Sequence, residues 1–215
     1  MSDVIQHKPL GTLVANQLRK SIWNREITFG ESLIESDLSE KYGVSRSTIR
    51  DALKILEYEG LVIIRPRKGA YVSEFSNKDW KEIIELRIII ETHAFIKISE
   101  ILTDEHIKDL EKILAAMRQG VKEEDWNKLF DLDLKYHSYV VNLSENSRII
   151  KIYESIQVQI RTFLINLDQY YSSFEAFYQE QKYLFDILLT KDPILIEKTI
   201  RKHIGYVENR VLAEL

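Results

Sequence analysis

The 215-residue sequence is 45% hydrophobic and 30% charged, with 7 Gly, 3 Pro and a formal net charge of -4. This balance fits an ordered, largely helical globular protein and excludes collagenous and low-complexity classes. No apolar run approaches the roughly 20 residues that span a bilayer, "MSDVIQHKPL" has no apolar signal core, and the absence of cysteine rules out disulfides and thiolate ligands. A cytoplasmic protein without a membrane partner is therefore expected.

Charge is unevenly spread. Residues 1–76 hold 11 Lys/Arg against 10 Asp/Glu, and residues 77–215 hold 19 against 24. A near-neutral head precedes an acidic body, and the pattern changes near Ser73–Asn77, predicting domains at 1–76 and 77–215.

In the head, Val14, Leu18 and Ile22 fall at helical spacing and "ITFG" ends that unit. "ESDLSEKYG" reads as a two-turn helix closed by Gly43, suited to the left-handed position past a helix end. Ser45 is a natural N-cap for the next helix, which runs to about Gly60. Ile49, Ala52, Leu53 and Leu56 form its apolar face, while Arg46, Arg50 and Lys54 stack on the other. Such a cationic stripe repels itself unless something anionic lies against it. "LVIIRPRKGAYV" then reads as a β-hairpin with a basic tip.

A short helix, a tight turn, a helix with a basic outer face and a basic hairpin, in that order, form a winged helix-turn-helix. Arg46 and Arg50 can present planar forks to guanine or to phosphates, and Ser45, Ser47 and Thr48 are short hydroxyl donors. Arg65, Arg67 and Lys68 occupy the wing tip, and Gly69 lets the backbone approach closely. The run from Glu35 to Val72 resembles the GntR family of bacterial transcription regulators. The resemblance implies that Arg46, Arg50 and Gly69 contact the operator. It departs at Ser36, where many members carry an Arg, so one expected contact is missing.

After Asn77 helices are predicted at 78–101, 104–118, 123–143, 147–168, 174–190 and 194–213, an antiparallel all-α bundle. The whole chain is thus mainly α. Several inward stripes carry polar residues. Asp133 and His137 interrupt Trp126, Phe130 and Val140; Gln181 interrupts Phe174, Phe177, Leu184 and Leu188; His203 interrupts Ile196, Ile200, Val207 and Val211; Arg87 lies between Trp80 and Ile90.

Asp133 and His137 at i and i+4 can bind one ion, His203 can supply a third ligand, and imidazole with carboxylate suits Zn²⁺, Ni²⁺ or Mn²⁺. The plainer alternative is a satisfied core, with His137 bonded to Asp133 and His203 to Gln181. Arg87 is a candidate for an effector carboxylate, or else for an ion pair with Asp133. Arg161, beside its helix's apolar stripe, is a weaker effector candidate, and His7, His93 and His106 lack converging partners.

Here the resemblance extends to the FadR-type subgroup with its FCD domain. That subgroup carries an Asp-x3-His motif, matched by "DLKYH", and a last histidine, matched by "RKHI". A further histidine is replaced by Gln181, a weaker, neutral ligand. The resemblance implies a homodimer on a pseudo-palindromic operator, most often a repressor, released by a small organic acid. A metal-free acyl or lipid sensor is the alternative. A metallohydrolase with a DNA-binding head is a third, but no Glu adjoins either His as in the helical zinc-peptidase motif. A non-enzyme is expected.

Overall fold

The computed structural model describes residues 9–166, 168 and 171–211, with the backbone alone from 206 to 211. His7 lies outside the described residues. The chain divides into two compact units, Met1–Glu74 and Phe75–Leu215.

The first unit is a three-helix and three-strand winged helix-turn-helix. Its elements are α1 (Leu10–Trp23), β1 (Ser32–Leu33), α2 (Glu35–Tyr42), α3 (Arg46–Tyr58), β2 (Val62–Arg65) and β3 (Gly69–Val72). The hairpin β2–β3 pairs Val62 with Val72 and Arg65 with Gly69, and β1 adds a third antiparallel strand against β3. Sequence reading did not foresee β1, because two residues carry no period and their pairing is nonlocal. Val14, Ala15, Leu18 and Ile22 of α1 close the core over Ile49, Ala52, Leu53 and Leu56 of α3. Gly43 ends α2 at φ +63°, a conformation that glycine adopts without Cβ strain.

The second unit consists of α4 (Asn77–Ile101), α5 (Asp104–Glu123), α6 (Trp126–Leu143), α7 (Ser147–Leu164), α8 (Phe174–Thr190) and α9 (Pro193–Val211). Each begins where a short polar side chain captures free amides. Ser76–Asp79 and Thr103–His106 form capping boxes, Asp125, Asn146 and Ser173 cap the next three helices, and Asp192 accepts from Ile194 and Leu195 ahead of α9. Helix α5 begins at Asp104, as its predicted bounds have it, with Thr103 as its cap, and His106 has a local structural use.

Helix α5 runs past the predicted stop at 118 to Glu123. Gly120 does not break it, because it lies buried in the packing and its missing side chain makes room for Leu129 of α6. The turn comes instead at Glu124, φ +53°. Helix α4 packs against α6, α7, α8 and α9 and so forms the centre of the body. Among the described residues no helix is long and apolar enough to cross a membrane.

Candidate nucleic-acid interface and candidate metal centre

Helix α3 buries its apolar face and leaves Arg46, Arg50 and Lys54 exposed, as its pattern predicts. Ser45 Oγ accepts from Thr48 N at 3.2 Å and lies 2.7 Å from Ser47 Oγ and 2.9 Å from Thr48 Oγ1. The three hydroxyls therefore knit the start of the helix together. Among the described residues, Arg50 is the member of the cationic stripe with an ion-pair partner: its Nε meets both carboxylate oxygens of Glu35, at 3.0 and 2.9 Å.

In the wing, the Arg65 guanidinium lies over the Tyr71 ring at 5.0 Å, and Tyr71 Oη donates to Lys68 O. Arg67 and Gly69 take positive φ, +63° and +98°. A Cβ on Gly69 would meet nothing within 4 Å, so the backbone angle, and not crowding, calls for glycine there. The fold thus brings the predicted nucleic-acid residues onto two exposed features of one unit, the outer face of α3 and the tip of the hairpin.

In the second unit, four helices converge on a buried polar cluster. Arg87 and Glu91 lie one turn apart on α4, Asp133 and His137 one turn apart on α6, Gln181 on α8 and His203 on α9. All but His203 are almost wholly inaccessible, and His203 is half-buried. His137 Nε2 is 3.2 Å from His203 Nε2, 3.5 Å from Gln181 Nε2 and 3.6 Å from Asp133 Oδ1. On the other side of the ring, His137 Nδ1 touches Glu91 Oε2 at 2.5 Å. Glu91 Oε1 accepts from Arg87 Nε at 2.6 Å and from Tyr153 Oη at 2.8 Å. Arg87 Nη2 stands 3.7 Å from Asp133 Oδ2.

These charges hold one another in place. Burial penalises the Glu91 carboxylate, yet Arg87 and His137 beside it bring its pKa down to about 2. Burial likewise opposes the His137 imidazolium, but Glu91 and Asp133 raise its pKa to about 9. Burial and the neighbouring His137 cation lower His203 to about 3, leaving it neutral. Burial drives the Tyr153 hydroxyl well up, so it stays a donor to Glu91.

Asp133, His137 and His203 each offer a ligand atom, all within 4.8 Å of one another. Two imidazole nitrogens bound to one ion at about 2.05 Å and angles of about 90–110° stand roughly 2.9–3.4 Å apart. The 3.2 Å between the two Nε2 atoms lies in that range. Asp133 Oδ2 and Gln181 Oε1 are buried without a hydrogen-bond partner, and half a turn of the Gln181 amide would point that oxygen at the same centre. The donor set fits a divalent transition ion held by three ligands, with Gln181 as a neutral fourth. Glu91 would fix the His137 ring through Nδ1, the usual outer partner of a metal-bound imidazole.

A cavity of about 20 Å³ adjoins this cluster, with Arg87, Asp133 and His203 at its polar end and Ile83, Ile160, Phe163 and Phe177 among its apolar walls. That is room for one water-sized occupant. Arg87 lines this space, and its Nη2 is buried without a hydrogen bond.

Arg161 is buried elsewhere. Its Nε donates to Asp131 Oδ1 at 2.6 Å, its Nη2 reaches Asn127, and its guanidinium lies over Phe130. It is not among the residues that line this cavity, and it joins α7 to α6. The expected bond of His203 to Gln181 is also replaced, by the stacking of the two imidazoles. Sequence reading missed Glu91 and Tyr153. Spacing i, i+4 from Arg87 was the available signal for Glu91.

Comparison with known proteins agrees with both units. The family of bacterial regulatory proteins designated gntR matches residues 10–72, and the FCD domain matches residues 82–206. The gluconate operon transcriptional repressor of Bacillus licheniformis is 30% identical over 206 residues, 94% of this chain and 84% of that protein. Its counterpart from Bacillus subtilis (strain 168) is 28% identical over the same shares. A solved GntR structure from Rhodococcus sp. RHA1 shares the fold at a TM-score of 0.81 and 21% identity, covering 95% of this chain and 98% of that one.

Proposed function

This chain belongs to the gntR family of bacterial regulatory proteins and is a DNA-binding transcription regulator with an FCD body, and from that premise we propose that it is a cytoplasmic, homodimeric repressor released from a pseudo-palindromic operator by a small carboxylate. The observation that carries this is the outer face of α3, where Arg46, Arg50 and Lys54 stand exposed at one-turn intervals. A recognition helix enters the major groove and reads base edges from its N-terminal turns, so Arg46 and Arg50 read sequence while Lys54 and the wing cations Arg65, Arg67 and Lys68 position the backbone. Two copies present two such helices to two half-sites about one helical turn apart.

The body supplies the signal. Asp133, His137 and His203 would hold a Zn²⁺, Ni²⁺ or Mn²⁺ ion, with Gln181 as weak fourth ligand, and such an ion would supply a Lewis-acidic anchor for an anion. Arg87 Nη2, buried and without a hydrogen bond beside the same cavity, supplies a second donor for a carboxylate. Two relatives are named for a gluconate operon, so a hydroxy acid of that kind is the first candidate. An acid larger than water must part the apolar walls, and coupling of that kind typically changes DNA affinity about 5- to 150-fold.

The test begins with selection of a duplex from a random library by the full chain. Arg46→Ala and Arg50→Ala each abolish the footprint on that duplex with the fold retained, and D-gluconate lowers the affinity of the parent chain. Unchanged footprints in both variants refute the reading of α3. Native mass spectrometry and metal analysis of untagged protein decide the ligand, a co-purified acyl chain without metal being the outcome that replaces the carboxylate.

A further inference from the structure

We propose that Glu35 is a specificity-determining residue that positions Arg50 for base edges and keeps it from phosphates; this rests on the reading that α3 enters the major groove. Glu35 opens α2, where the positive end of the helix favours a carboxylate. From there it reaches across to α3, and both of its oxygens lie against Arg50 Nε, at 3.0 and 2.9 Å. Among the described residues Arg46 and Lys54, on the same face, have no such ion pair.

The geometry decides which edge of the guanidinium is offered. A guanidinium can bind two acceptors side-on, through Nε and one Nη, or end-on, through its two Nη groups. Glu35 occupies Nε, so the side-on mode is taken and the end-on fork remains, the shape that meets guanine O6 and N7. Its charge also offsets that of Arg50. A phosphate is drawn to a free cation, whereas the paired Arg50 is close to neutral overall and attracts a phosphate weakly.

The surroundings agree. Glu35, Arg50, Lys54 and Lys68 line one groove of about 390 Å³ between α3 and the sheet, and Glu35 is the acidic side chain among its lining residues. Where a DNA backbone passes such a groove, a carboxylate opposes the phosphates of any sequence, and only a site that engages the Arg50 fork regains the loss. The return is discrimination: random DNA loses more than a site with guanine at the right place.

The experiment compares the full chain with Glu35→Ala and Glu35→Gln on the duplex selected by the parent chain and on random duplex, across salt concentrations. Glu35→Ala strengthens random-duplex binding, steepens its log–log salt dependence by about 0.9, one added phosphate contact, and weakens the selected duplex by about tenfold, within the worth of one bidentate base contact. Glu35→Gln strengthens random binding similarly but loses less on the selected duplex, because its amide oxygen still accepts from Nε. An unchanged ratio of selected to random affinity in Glu35→Ala overturns the proposal, leaving an ordinary surface ion pair. Tighter binding to both duplexes by the same factor also overturns it, since Glu35 is then a plain competitor for Arg50. Arg50→Ala separates the premise from the proposal. If that variant binds the selected duplex as the parent chain does, the reading of α3 fails as well.

Discussion

Replacing Glu91 by Ala removes one carboxylate and strands three partners. Arg87 is 6% exposed, Glu91 and His137 are 0% exposed, and Tyr153 Oη has its hydrogen bond to Glu91 at 2.8 Å. Breaking a buried ion pair from one side costs about 3–5 kcal/mol, and a buried hydroxyl without an acceptor about 1–3. These penalties overlap, because the partners share one site, so the expected loss is about 4–5 kcal/mol. That is about a quarter or more of the roughly 5–15 kcal/mol of a typical domain. It lowers the melting midpoint of the body by about 8–20 °C at ~2–4 °C per kcal/mol for a unit of its size.

Urea unfolding in chelator, followed by tryptophan fluorescence, measures it: Trp80 and Trp126 lie in the body and Trp23 in the head. A companion variant, Arg87→Met with Glu91→Leu, removes both charges at similar volume and recovers the part of the loss that belongs to the unpaired Arg87, since an apolar replacement of a buried pair is often neutral, while His137 and Tyr153 still lack their partner. A loss below about 1 kcal/mol in Glu91→Ala, or a double variant as unstable as the single one, would refute the idea that these charges are mutually required.

Gln181→His supplies the imidazole that the cluster lacks, and it tightens Ni²⁺ or Zn²⁺ binding at least tenfold in a competition titration; equal affinity means that position 181 does not face the ion. Ser45→Ala removes the acceptor for Thr48 N and destabilises the head by about 0.5–2 kcal/mol, read from Trp23 fluorescence. Asp79 has its pKa lowered by hydrogen bonds from the side chain and backbone of Ser76. Its folded value lies below its unfolded one, so its contribution is present above the ordinary carboxylate range and is lost as pH falls through the folded value. Asp79→Asn therefore flattens the acid side of the body's stability profile below about pH 4, and an unaltered profile would count against the capping box.

What the sequence alone determined is local or periodic. Gly43 in the left-handed region, Ser45 as cap and the two faces of α3 follow from rules acting over three or four residues, so the winged head was legible with its cationic stripe. The 3.6-residue period likewise put Arg87, Asp133, His137, Gln181 and His203 on inward faces, and burial of all but the half-exposed His203 agrees. Only the tertiary structure decided who meets whom. Helix α4 is surrounded by four others and buries Ile90 and Glu91 side by side, which erases the narrow apolar stripe that would have marked Glu91 as interior. Arg161 lies beside its helix's apolar stripe, yet Asp131 of α6 meets it and it is buried. The Arg161–Asp131 pairing depends on the register between α6 and α7, and a charged side chain cannot be buried until that register supplies its partner.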